Sequence, residues 1–108
     1  MPDGAVTIVI RYQAQPAHAD RARDELDALI GEVVRQEPDC LGIELFREPA
    51  APHHLLLVER WTSSDAYFGP HLQTPNLRAF IERAPAFLAG PPEITAWAPV
   101  SGYLPDPA

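Results

Sequence analysis

Apolar and polar side chains alternate from Ala5 to Gln13. Val6, Ile8, Ile10 and Tyr12 fall on one side and Thr7, Val9, Arg11 and Gln13 on the other, the two-residue period of a β-strand. The second side is mixed rather than polar, so something should cover it too. From Ala17 to Gln36 the period becomes helical: Ala22, Leu26, Leu29, Ile30, Val33 and Val34 make one broad apolar stripe. Pro38 ends that helix, because a proline biases the residue before it away from helical geometry. Cys40 to Glu48 reads as a second strand, with Leu41, Ile43, Leu45 and Arg47 expected on one face and Gly42, Glu44, Phe46 and Glu48 on the other. Pro49 to Pro52 is a hairpin-like connection into a third strand, His53 to Trp61.

Ser63 or Ser64 can cap a short helix from Asp65 to Gly69. Thr74, with Pro75 in first position, caps another whose buried stripe is Leu77, Phe80, Ile81 and Ala84. Pro85 interrupts it before one more turn through Phe87 and Leu88, and Gly90-Pro91-Pro92 stops it. Glu93 to Ser101 forms the last strand, with Pro99 marking an edge or terminal position. The order βαββα(α)β predicts an α+β fold of ferredoxin-like topology, with a four-stranded antiparallel sheet and helices on one face. The chain reads as one domain spanning 1–108, its core at about 5–101 and a Pro-rich tail over 102–108 that is either frayed or laid on a partner.

A chain of this length buries only about 60–70% of its unfolded surface, so an internal cavity is expensive. A homodimer joined through the open sheet face would recover the lost core and cover its apolar side chains. The net charge of −7, with eight arginines and no lysine, argues against nucleic acid or an anionic membrane as partner. Without lysine, Schiff-base chemistry on the protein is excluded. Cys40 is the only cysteine, so no disulfide or CxxC site can form within one chain. The first residues lack a signal-peptide pattern and no apolar run approaches a bilayer span, which makes the cytoplasm the simplest location.

The stretch with most chemistry in it runs from Glu59-Arg60-Trp61 to His71 and Thr74-Pro75. Alternation puts Glu59 and Trp61 on one face and Arg60 with Val58 on the other. Trp61 is then a core anchor or a cavity wall, and Glu59 a buried carboxylate or a solvated strand end. His71, in the break between two helices, can serve as a base near neutral pH or simply cap a carbonyl. Tyr67 lies one helical turn before it and shares its face, with Phe68 alongside as a packing or pocket residue. Arg11 is expected to pair with Glu44 or Glu59, or to clamp a substrate. His53 and His54, adjacent on a strand, cannot easily share a metal ion. No phosphate loop, HExxH or paired-carboxylate motif occurs, so no cofactor and no metal are expected.

Glu37-Pro38-Asp39-Cys40-Leu41-Gly42, Glu59-Arg60-Trp61, His71 with Thr74-Pro75, and Arg78-Ala79-Phe80 occur in that order. In them the chain, from Val6 to Val100, resembles the antibiotic biosynthesis monooxygenase domain family, small dimeric α/β barrels of ferredoxin-like topology. The resemblance implies oxidation of phenols, anthrones or quinols to quinones by molecular oxygen, without flavin or metal. It would make His71 the base or an orienting donor and Tyr67 a donor. Trp61, Phe68 and Phe80 would be the walls around a small aromatic substrate, with Glu59 and Arg11 as further substrate contacts. A haem-degrading branch uses Asn, Trp and His where this chain has Ile10, His71 and Ile81, so that activity does not carry over. Other relatives are isomerases, and a dimer that only binds a small hydrophobic ligand remains the non-catalytic alternative.

Overall fold

In the computed structural model, residues 4–106 are described. Met1 to Asp3, among the first residues read above for a signal-peptide pattern, and the last two tail residues lie outside them. Strands β1 (Val6–Gln13), β2 (Cys40–Glu48), β3 (Ala51–Trp61) and β4 (Glu93–Trp97) form one sheet in the order β2-β3-β1-β4. Every neighbouring pair is antiparallel. Helices α1 (Ala19–Gln36), α2 (Ser64–Phe68) and α3 (Pro75–Arg83) pack on one face. Short 3₁₀ turns at Pro16–His18, Pro70–Gln73 and Ala84–Ala86 complete the chain. This is the ferredoxin-like α+β arrangement.

The core lies between the inward side chains of β1 and β3 and the helical stripe. Ile8, Ile10, Leu57 and Trp61 from the sheet meet Ala22, Leu26, Leu29 and Val33 of α1 and Leu77 and Phe80 of α3. Burying a leucine- or phenylalanine-sized side chain here stabilises by about 1.5–3 kcal/mol. Both short helices begin on side-chain caps: Ser63 Oγ accepts from the Ala66 amide at 3.1 Å and Thr74 Oγ1 from Leu77 at 3.4 Å. Each such cap contributes about 1 kcal/mol. An Arg83–Glu25 ion pair at 3.0 Å ties α3 to α1 across the surface.

Several elements differ from the sequence expectation: β3 starts at Ala51 rather than His53, α2 runs over Ser64–Phe68 rather than Asp65–Gly69, and Ile81 of α3 is exposed rather than buried. The Pro16–His18 turn precedes α1, so the α-helix starts at Ala19 rather than Ala17. A β-bulge between Cys40 and Gly42, where Gly42 has φ of +152°, shifts the alternation of β2. Cys40 therefore joins Ile43 and Leu45 on the inner face, and Leu41 is exposed. The last strand stops at Trp97 instead of Ser101, short of Pro99, and residues 98–106 beyond it are exposed.

The outer sheet face is not polar. Val9, Leu56 and Val58 are half-buried there, and Phe46 and Trp97 are exposed. Ion pairs Arg11–Glu93 at 3.4 Å and Arg60–Glu44 at 3.5 Å flank them. The expected Arg11–Glu59 pairing fails because adjacent strands put Glu59 beside Ile8, on the inner face, while Arg11 sits directly opposite Glu93. Arg60 takes Glu44 instead. Among the described residues, no helix is long and apolar enough to cross a membrane.

Candidate functional site

Each residue that converges on the helix side of the sheet is placed by a local backbone decision. Pro38 turns Glu37 out of the helix into extended geometry, while the Glu37 amide still bonds the Val33 carbonyl at 2.9 Å. The 37–40 turn is then fastened to the end of β3 by Thr62, whose amide and hydroxyl both reach Asp39, at 3.0 and 2.9 Å. At the other side, Gly69 breaks α2 so sharply that a Cβ there would lie 2.7 Å from the Asp65 carbonyl oxygen. That break swings His71 inward.

His71 is 4% exposed and its Nδ1 lies 3.0 Å from both carboxylate oxygens of Glu37. A carboxylate so placed accepts a hydrogen bond from Nδ1–H, which orients the ring and leaves Nε2 as its other nitrogen. The imidazole packs on Trp61 with ring centroids 4.7 Å apart and on Tyr67 at 5.0 Å. Trp61 also meets Tyr67 edge-on at 5.6 Å. On the far side of the indole, Trp61 Nε1 donates to Glu59 Oε1 at 2.9 Å. Two carboxylates thus bracket a three-ring aromatic cluster.

Glu59 is 3% exposed, and burial pushes its carboxyl up to about 7. The indole N–H opposes that rise and the nearby Glu37 charge adds to it. Tyr12 and Tyr67 are both driven well above the ordinary phenol range, first by burial and then by the Glu59 charge. Both phenols therefore stay protonated at neutral pH. The Cys40 thiol is likewise raised by burial, consistent with an unreactive core residue.

Beside this cluster lies a cavity of about 680 Å³. Tyr12, Tyr67, Leu72, Leu77, Phe80 and Leu88 supply most of its wall, with Gln15 as a further polar group. Ile81 and Ile94, both exposed, stand at its mouth between α3 and β4. Phe80 is held in place by edge-on contacts with Tyr12 at 6.3 Å and Phe87 at 5.7 Å.

Of the residues singled out from sequence, Tyr67 and Phe80 line the cavity. Trp61, Glu59 and His71 stand behind Tyr67 instead of in the wall. Phe68 is half exposed and packs on the outside of Tyr67 at 4.9 Å. Arg11 is across the sheet, in a separate polar hollow of about 490 Å³ shared with Glu48, His54 and Glu93. Sequence reasoning missed Tyr12 and Glu37. Tyr12 read only as a core-facing strand residue, and Glu37 as the residue before a proline and the first of a family-like run, with no place in the site. Among the described residues, no group of three or more His, Cys, Asp or Glu side chains could hold a metal ion.

The antibiotic biosynthesis monooxygenase family model matches residues 5–83, and the chain belongs to that family. Rv0793 from Mycobacterium tuberculosis is 25% identical, with a TM-score of 0.79 over 92% of this chain and 98% of that one. PA3566 from Pseudomonas aeruginosa is 25% identical, with a TM-score of 0.82 over 94% and 99%. A Caulobacter crescentus protein, provisionally named an antibiotic biosynthesis monooxygenase, is 26% identical, with a TM-score of 0.81 over 91% and 92%. An uncharacterized Synechocystis protein, sll1783, is 33% identical over 60 residues, which are 56% of this chain. That match spans 40% of the Synechocystis protein's length.

Proposed function

We propose that this protein is a cofactor-independent monooxygenase that oxidises a phenolic, anthrone- or quinol-type aromatic with molecular oxygen. We propose further that it works as a homodimer joined through the outer sheet face. The observation that carries this reading is the apolar cavity with Tyr12 and Tyr67 in its wall and the Glu59–Trp61–His71–Glu37 cluster behind. Membership of the family and the name given to the Caulobacter protein support it.

The reaction requires little beyond a dry slot, a proton acceptor and donors for developing negative charge. For an anthrone, the activated methylene loses a proton and the resulting anion passes one electron to oxygen. The two radicals join as a hydroperoxide, and loss of water leaves a ketone. The balance is CH2 + O2 → C=O + H2O, with no external reductant. In this protein, Tyr67 and Tyr12, protonated throughout, would donate to the oxyanion. His71, behind Tyr67 with its Nδ1 fixed by Glu37, would accept the proton through Nε2 by way of one bridging water. His71→Ala should lower kcat/KM for the reactive anthrone or quinol by a factor on the order of 10²–10⁴. Unchanged oxygen uptake by that variant would remove His71 as the base.

One observation favours a second reading: His71 is bound to Glu37 and stands outside the cavity wall. A dimer that binds a small hydrophobic ligand without transforming it would need no more. Native mass spectrometry of the protein as isolated separates the two: a retained ligand recovered unchanged after exposure to oxygen supports binding alone.

A further inference from the structure

The cavity wall contains no charged side chain: its polar members are Tyr12, Gln15 and Tyr67, and the rest are aliphatic, aromatic or proline residues. A ligand carboxylate or phosphate placed there would lose its water without gaining a cation. Behind the Tyr12–Tyr67 side of the wall the charged groups are carboxylates, Glu59 and Glu37; the Arg21 guanidinium stands a ring further back, over Phe87 at 5.1 Å. Glu59 is buried on the same inner face, felt by both Tyr12 and Tyr67, and its one side-chain hydrogen bond is to Trp61. The arginines nearest in sequence, Arg11 and Arg60, are turned to the opposite sheet face and engaged by Glu93 and Glu44.

We infer that the cavity selects uncharged aromatic hydroxy and keto compounds and rejects their anionic analogues, with Glu59 as the specificity-determining residue. This rests on the functional reading above and narrows its substrate class. The ligand is a polycyclic aromatic without carboxylate, phosphate or sulfate, hydrogen-bonded by Tyr12, Tyr67 and Gln15. Esters or amides of aromatic acids fit; the free acids do not. Glu59 works at a distance, by its charge, and need not touch the ligand.

The test uses three tricyclic probes of similar size: anthraquinone-2-carboxamide, anthraquinone-2-carboxylate and 2-aminomethylanthraquinone. Binding is measured by calorimetry at pH 8 in 0.5 M salt, where surface charges are screened over well under 10 Å. The carboxamide should bind at least roughly tenfold more tightly than the carboxylate. Glu59→Gln should narrow that gap severalfold. In the unmodified protein the ammonium probe should bind more tightly than the carboxylate, a comparison that needs no variant to fold. Equal affinities for amide and carboxylate, a carboxylate that outbinds the ammonium, failure of all three to bind, or a gap unmoved in a folded Glu59→Gln protein would each overturn the inference. Turnover separates it from the functional reading. Selective binding without oxygen uptake removes the oxygenase alone, whereas equal turnover of neutral and carboxylated substrates removes the selection alone.

Discussion

Replacing Glu59 with glutamine should stabilise the protein, and more so at high pH. Glutamine keeps a carbonyl oxygen for the Trp61 indole N–H and removes the charge. In the fold, Glu59 sits at about 7 against an ordinary value of 4.5. At about 1.4 kcal/mol per pH unit of separation, that rise corresponds to about 3 kcal/mol. The folded state holds the Glu59 proton more tightly than the unfolded state does. Stability is therefore greatest below the unfolded value and is lost as pH rises from about 4.5 through about 7. Other groups also titrate, so the quantity to measure is the difference between variant and parent by urea unfolding at pH 5, 6, 7 and 8. The gain from Glu59→Gln should grow across that series by up to about 3 kcal/mol and level off above pH 8. A difference independent of pH would show that Glu59 is ionised normally and would refute the buried-acid description. A gain that shrinks as pH rises would refute its sign.

Gly69→Ala should cost about 1–3 kcal/mol, because its Cβ meets a backbone oxygen that cannot move without opening the α2 turn; a loss below 0.5 kcal/mol in chemical denaturation contradicts that. Trp61→Phe removes the one side-chain donor to Glu59 among the described residues. It should lift the Glu59 titration midpoint above 7, read by carbon NMR of the carboxyl, and an unmoved or lowered midpoint would speak against the indole bond. Val58→Asp places a charge in the middle of the apolar outer face and should convert a dimer to monomers in sedimentation without loss of fold. A parent protein that already sediments as a monomer would remove the proposed interface.

Much of the fold could be read from periodicity and punctuation. The alternation of β1, the Pro38 stop and the Ser63 and Thr74 caps are local signals and appear where the residues place them, as does the α1 stripe except for Val34 at its edge, which is exposed. The bulge at Leu41–Gly42 was missed although Gly42, an isolated glycine inside a strand pattern, is the mark such a bulge leaves. The site was legible in pieces. Alternation alone separated Glu59 and Trp61 from Arg60, and helical spacing paired Tyr67 with His71. The bond between Glu37 and His71 joins residues 34 apart and depends on how α1 ends against the α2–α3 turn. Which rings face the cavity and which stand behind Tyr67 is settled by packing depth, and no one-dimensional pattern encodes that.

The cavity lined by Tyr12, Tyr67 and Phe80 is proposed to support oxidation by oxygen with no bound helper. Oxygen consumption is its most direct measure, recorded with an oxygen electrode on protein treated with chelator and shown free of flavin absorbance, using an uncharged hydroxyanthrone. The account predicts uptake above the spontaneous rate, one O2 per quinone formed, abolished or strongly reduced in Tyr67→Phe and His71→Ala. Uptake no faster than the spontaneous reaction, or uptake restored only by added flavin or metal, would contradict it.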